Sequence, residues 1–236
     1  MLGRGGRLSV AAAAVVASFA AAHAATAPRL DEAPLRPEMG QGYELAKAGK
    51  AAKALKLFEE IDQKFSAAYA SGPRVFCSRG AQETVLYMTK AAAEGRGAIA
   101  IGPLWCDAIY YEAYVLTDLG RAADAANELD RVLTMAPDNS VYLNERAELL
   151  MRAGQHDRAV AMYKLAEQDS QFMPDEDAVR AMRSRACRGV GYILTEEGKL
   201  DESEADYSRC LTIDPDDQKS KNELAYIAQL RAKKKK

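Results

Sequence analysis

The residues able to do chemistry are few and widely spaced. Cys77, Cys106, Cys187 and Cys210 are an even set, which permits two disulfides while leaving three pairings open on paper. No C-x-x-C occurs, and His156 is the only histidine after residue 24, so no metal-ligand set assembles. His156 lies in the polar run Gln155-His156-Asp157, where a solvated side chain is the ordinary outcome. Gly95-Arg96-Gly97 has the glycines of a phosphate loop but lacks the Lys-Ser/Thr ending and a preceding strand. There is no G-x-S-x-G elbow and no H-E-x-x-H, so the sequence assigns no catalytic residue, no cofactor and no enzyme activity.

Composition agrees with that reading. The 236 residues are 48% apolar and 28% charged, with a formal net charge of −2, as in soluble folded chains. At the N-terminus, Arg4 and Arg7 precede an apolar run from Leu8 to Ala22 that ends in Ala22-His23-Ala24, the grammar of a cleavable secretion signal. Cleavage after Ala24 removes two of 32 basic residues and leaves 30 against 34 acidic ones, a net charge of −4. That mild acidity argues against nucleic acid as a partner. The expected destination is the bacterial periplasm or the exterior, where cysteines oxidise.

The elements that must position these residues are helical hairpins. Gly120 recurs as Gly154, Ala125 as Ala159 and Leu129 as Tyr163, each 34 residues on, a period typical of stacked helical repeats. The expected units are a signal at 1–24, a flexible leader at 25–36, hairpins at 37–70, 106–139, 140–173 and 174–217, a covering helix at 218–232 and a basic tail at 233–236. Asp175 is a candidate N-cap for the last hairpin. The stretch 71–105 is irregular or a degenerate repeat. In one reading its helix ends near Glu94 and an apolar loop through Ala98-Ile99-Ala100-Ile101 returns along it. In the other the helix runs on to Ile101, which the phase of Ala91, Ala98 and Pro103 favours against the cost of internal glycines.

At this point the chain resembles the tetratricopeptide repeat family. The small site of the first helix is Gly42, Ala113, Ala147 and Gly191. The alanine site of the second helix is Ala54, Ala125, Ala159 and Ser203, and the aromatic site after it is Phe58, Leu129, Tyr163 and Tyr207. The closing proline survives as Pro137 and Pro215, and the family's tryptophan site holds Glu38, Ile109, Leu143 and Cys187. The resemblance implies an all-α fold, a right-handed superhelical stack of antiparallel hairpins whose first helices line a concave face. It also implies a protein or peptide partner on that face.

The implied contact residues are Tyr43, Tyr110, Tyr114, Glu148 and Tyr192, with Arg185 and Arg188 as an anion-accepting edge. Tyr110, Tyr114 and Glu145 stand where the family's carboxylate clamp has other residues, so that mode of recognition is not implied. Cys187 and Cys210 fall at one level on the packed faces of the last hairpin, where they are either a disulfide pair, if their Cα atoms come within about 7 Å, or two separate core cysteines. Cys77 and Cys106 can meet only if the chain doubles back before Ile101. Contact of the Lys233–Lys236 tail with an anionic membrane ranks below a solvated end. The alternative function is a cell-envelope small-ligand-binding protein or enzyme accessory subunit that uses residues 73–105, with a closed polar pocket around Trp105 and Tyr111.

Overall fold

The computed structural model describes residues 30–234; the signal at 1–24 and residues 25–29 of the leader lie outside them. In chain order the elements are α1 (Leu35–Lys47), α2 (Ala51–Tyr69), β1 (Arg74–Cys77), α3 (Ala81–Ala93), β2 (Ala98–Ile101), α4 (Leu104–Asp118) and α5 (Ala122–Met135). They continue with α6 (Ser140–Arg152), α7 (His156–Asp169), α8 (Glu176–Glu196), α9 (Leu200–Ile213) and α10 (Gln218–Lys234). Four antiparallel hairpins, α1–α2, α4–α5, α6–α7 and α8–α9, stack in sequence order, and α10 closes the far end against α9. No helix among the described residues is long and apolar enough to cross a membrane.

Each hairpin turns by one device. Gly49, Gly120, Gly154 and Gly198 take φ between 69° and 74°, a left-handed conformation that costs glycine nothing sterically. The residue after each glycine donates its N–H back to the first helix, Lys50 to Leu45 and Arg121 to Leu116, then Gln155 to Leu150 and Lys199 to Leu194. This is the Schellman stop, which satisfies carbonyls that the helix end would leave bare. Side-chain caps then start two helices: Asn139 accepts from the Val141 and Tyr142 N–H groups, and Asp175 from Ala178.

Packing within a hairpin follows from pairing a small residue with a large one. Gly42 lies under Phe58, and a Cβ added there would sit 2.5 Å from the ring; Gly191 lies under Tyr207 at 2.9 Å by the same measure. Where the small site is Ala113 or Ala147, it is buried just as fully. Tyr163 instead presses on Gly189 of the next hairpin, so this aromatic ties two repeats together. A large aliphatic or aromatic side chain so buried contributes about 1.5–3 kcal/mol.

The stretch between the first two hairpins departs from the expectation. The helix does not run on to Ile101. Gly95, at φ +66°, ends α3, and Arg96 donates back to Ala91 in the same Schellman pattern. The chain then extends as β2 and pairs in parallel with β1, Val75 beside Ile99 and Cys77 beside Ile101. The stretch is therefore a small βαβ insertion, neither a degenerate repeat nor a plain loop. One sheet face meets α3 through Phe76, Tyr87 and Ala98, while Val75, Cys77, Ile99 and Ile101 join the core of the first two hairpins. The doubling back brings Cys77 to Cys106, and the two are bonded with Cα atoms 6.1 Å apart. Arg74 reaches the Thr134 carbonyl, Lys90 reaches Asp138 and Arg79 reaches Met173, so the insertion lies along the edge where successive repeats connect.

Candidate partner-binding face

The position after the small residue of each first helix is Tyr43, Tyr114, Glu148 and Tyr192. The three tyrosines are 41%, 45% and 43% exposed. They stay outside because the preceding residue, Gly42, Ala113 or Gly191, points into the hairpin and one step along a helix turns by about 100°. Inward of this row is an aromatic floor. Tyr111 stacks on Phe58 at 5.4 Å and meets Tyr43, Tyr110 and Tyr114 edge-on at 5.6, 5.0 and 6.4 Å. Tyr110 in turn stacks on Tyr142 at 5.2 Å. Offset and edge-on contacts of this kind stabilise by about 0.5–1.5 kcal/mol beyond their area, which gives the floor a fixed shape.

A cavity of about 240 Å³ opens between α4, α6 and α8 on this side, walled by Tyr110, Tyr114, Glu145, Glu148, Arg152 and Arg185. Its polar groups are already joined. The Tyr110 hydroxyl donates to Glu145 at 3.2 Å, and Arg185 spans two carboxylates, Glu145 at 2.8 Å and Glu148 at 3.0 Å. Arg152 also donates to Glu148. Burial opposes the charge of Arg185, and the two carboxylates outweigh it, so its pKa lies above the ordinary arginine value. Burial first, and then the Glu145 charge, push the Tyr110 hydroxyl well above the usual phenol range. Tyr110 is thus a neutral donor at any physiological pH.

The two arginines differ from their expected role. Arg185 is not a free anion acceptor, because its guanidinium is spent on fastening α8 to α6. Arg188 faces the end of the stack and donates to Asp217 at 2.8 Å, while Asp217 also accepts from the Lys219 N–H and the Ser220 hydroxyl at the start of α10. Tyr110 is a half-buried packing residue, and Tyr43, Tyr114 and Tyr192 remain open. Cys187 and Cys210 are bonded across the last hairpin with Cα atoms 5.7 Å apart, and both are fully buried. The His156 imidazole nitrogen lies 2.9 Å from the Glu197 carboxylate, linking two successive hairpin turns. Lys235 and Lys236 lie outside the described residues.

A second polar cluster escaped the sequence reading. Trp105 stacks on Phe65 and Tyr69, and its indole N–H donates to Asp62 at 2.7 Å; Arg131 reaches the other oxygen of Asp62 at 3.1 Å. Beside them Glu112 is 5% exposed, and its Oε1 has no hydrogen-bond partner among the described residues. Burial, then the charges of Asp62 and Glu128, push its pKa up to about 8. The one available signal was an acid at a position whose equivalents, Ala147 less one and Gly191 less one, are Arg146 and Val190, which share no chemistry with it.

Comparison with known proteins places this geometry. A family model described as the tetratricopeptide repeat matches residues 185–217, which comprise most of α8, the Gly198 turn and α9. The nearly identical TPR-like repeats of a Podosopora anserina kinesin light chain share the fold with a TM-score of 0.59. They are 13% identical, over 88% of this chain and 91% of that one. Its last hairpin matches a tetratricopeptide repeat, and the stack has the fold of such repeats. The fold is also that of PilF from Pseudomonas aeruginosa, at a TM-score of 0.57 and 14% identity over 84% of this repeat protein and 69% of the other. No curated protein matches it in sequence. At these identities the likeness extends to the fold alone.

Proposed function

We propose that this repeat protein is an exported scaffold or adaptor that holds a peptide or protein partner against the concave face of its first helices and does no chemistry on it. The observation that supports this reading best is the row of exposed tyrosines, Tyr43, Tyr114 and Tyr192, at equivalent positions of three hairpins. Tyrosine gives a large amphipathic contact surface at low cost in side-chain entropy, which is why binding surfaces favour it. The aromatic floor and the closed Arg185–Glu145–Glu148 clasp hold that row in one shape, and preorganisation of this kind lowers the cost of binding.

Export is supported by the N-terminal run to Ala22-His23-Ala24 and by two disulfides, which persist in oxidising compartments; the bacterial periplasm fits both. The test is affinity capture from the periplasm with the native chain and with Tyr43, Tyr114 and Tyr192 changed together to alanine. The three side chains are exposed, so the variant is expected to fold and to lose its captured protein. An unchanged capture would contradict the assignment. The small-ligand alternative has less behind it, because Trp105 is stacked against both Phe65 and Tyr69 and Tyr111 lies on Phe58.

A further inference from the structure

The gaps between successive hairpins are lined by equivalent residues, and the middle gap is filled differently from its neighbours. On the second helices the equivalent residues are Phe58, Leu129 and Tyr163. Across each gap, two residues before the next small site, stand Tyr111, Glu145 and Gly189. In the first gap the Phe58 ring lies over Gly42 and stacks on Tyr111 at 5.4 Å. In the third the Tyr163 ring presses on Gly189, where an added Cβ would sit 2.3 Å from it. Rings close both. In the middle gap a leucine stands where the others have a ring, and the Glu145 carboxylate is drawn aside to Tyr110 and Arg185.

The space so left is the cavity of about 240 Å³, and Ala113, Leu129, Glu145 and Leu149 all lie on its wall. Ala113 and Leu129 are buried while Tyr114 is exposed, so the apolar end is the deep one and Tyr114 borders the mouth. An apolar cavity of about 150 Å³ already admits benzene, and the volume here suffices for a phenyl ring.

The surroundings favour a ring over other side chains. Ala113, Leu129 and Leu149 supply apolar contact, and Tyr110 and Tyr114 add aromatic contact, which stabilises beyond the area buried. The guanidinium groups of Arg152 and Arg185 border the same space, and such cations favour the face of a ring. An entering carboxylate would find both arginines already bonded to glutamates, and an entering cation would find both glutamates already bonded to arginines. Asp118 stands exposed at the rim, where water and salt screen its charge. An aliphatic side chain would gain the apolar contact alone.

We propose that the middle gap takes an aromatic side chain of the partner, whose ring occupies the place that Phe58 and Tyr163 hold in the flanking gaps. This rests on the concave face being the binding surface, and it requires of the partner one exposed aromatic side chain.

NMR titration of the isotope-labelled, disulfide-bonded mature chain with N-acetylphenylalaninamide tests this. Saturable amide shifts are expected, centred on Tyr114, Glu145 and Leu149, with N-acetylnorleucinamide and N-acetylargininamide each binding about tenfold more weakly. Leu129→Phe supplies the ring from within and is expected to abolish binding while helical circular dichroism is kept. Tyr114→Ala, at an exposed site, gives a second readout and is expected to weaken binding about tenfold. No saturable shift at the gap, equal binding of the norleucine or arginine amide, or binding undiminished in either variant overturns the proposal. If the phenylalanine amide fails to bind while a captured protein is still lost on the joint alanine change at Tyr43, Tyr114 and Tyr192, the ring pocket falls and the scaffold stands.

Discussion

Glu112 shows how far a single buried group can bias the stack. Its folded pKa of about 8 stands above its ordinary value of 4.5, so the folded chain holds a proton that the unfolded chain gives up. The contribution is fully present below about pH 4.5 and is lost as pH rises through about 8. Across that window stability is expected to fall by about 1.4 kcal/mol for each pH unit of this one titration. Glu112→Gln, which keeps the shape without the charge, is expected to flatten the fall; urea unfolding at acid and alkaline pH reads the difference. A parallel slope in both proteins would contradict it. Two glycines of α1 give a second test at this scale. Gly42→Ala drives a methyl to 2.5 Å from Phe58, which is fully buried, and overpacking of this kind costs about 1–3 kcal/mol. Gly40 has nothing within 4 Å, so Gly40→Ala is expected to stabilise by about 0.5–1 kcal/mol through helix propensity alone. Thermal melts should move in opposite directions. The Gly42–Phe58 and Gly191–Tyr207 pairs were legible in the repeat positions, because one small and one aromatic site recur at fixed offsets from the turn glycine. Glu112 was not, since only the neighbouring repeat supplies Asp62 and the low-dielectric surroundings that give it meaning.

At the scale of elements, the hairpins could be read because their signals are local. A glycine turn, an apolar stripe and a stop each lie within a few residues. The insertion could not, for a physical reason: Ala98-Ile99-Ala100-Ile101 satisfies both a helical and an extended period over so short a run, and the strand state wins through Arg74–Cys77, more than twenty residues upstream. The same distance hid the link between Cys77 and Cys106. Replacing that pair with serine is expected to raise hydrogen exchange in β1, α3 and β2 while α6 to α9 stay protected; uniform loosening would show the insertion to be integral to the stack. The Cys187–Cys210 bridge closes a separation of 23 residues, worth about 3 kcal/mol in the loop-entropy account. Cys187→Ser with Cys210→Ser should lower stability by about that amount in denaturant unfolding, and both chains should be compared oxidised.

The whole molecule is a stack whose ends and edges are finished differently. Arg188 fastens Asp217 at the start of α10, and Arg231 near its end holds Asp201 at 2.5 Å, so the last hairpin is covered by a polar helix, as the end of a repeat array requires. The first-helix side is where tyrosines stay in water and where the cavity opens. The sequence indicated which residues form that row, because the position after the small site recurs in every hairpin; it did not indicate that Arg185 and Arg188 are committed to carboxylates, since their partners lie on other elements. The most direct test of the partner-binding account is hydrogen exchange on the native chain with and without the protein captured from the periplasm. Protection is predicted in α1, α4, α6 and α8, centred on Tyr43, Tyr114 and Tyr192, with α5, α7 and α9 unchanged. Protection confined to the second helices, or none in the first, would contradict it.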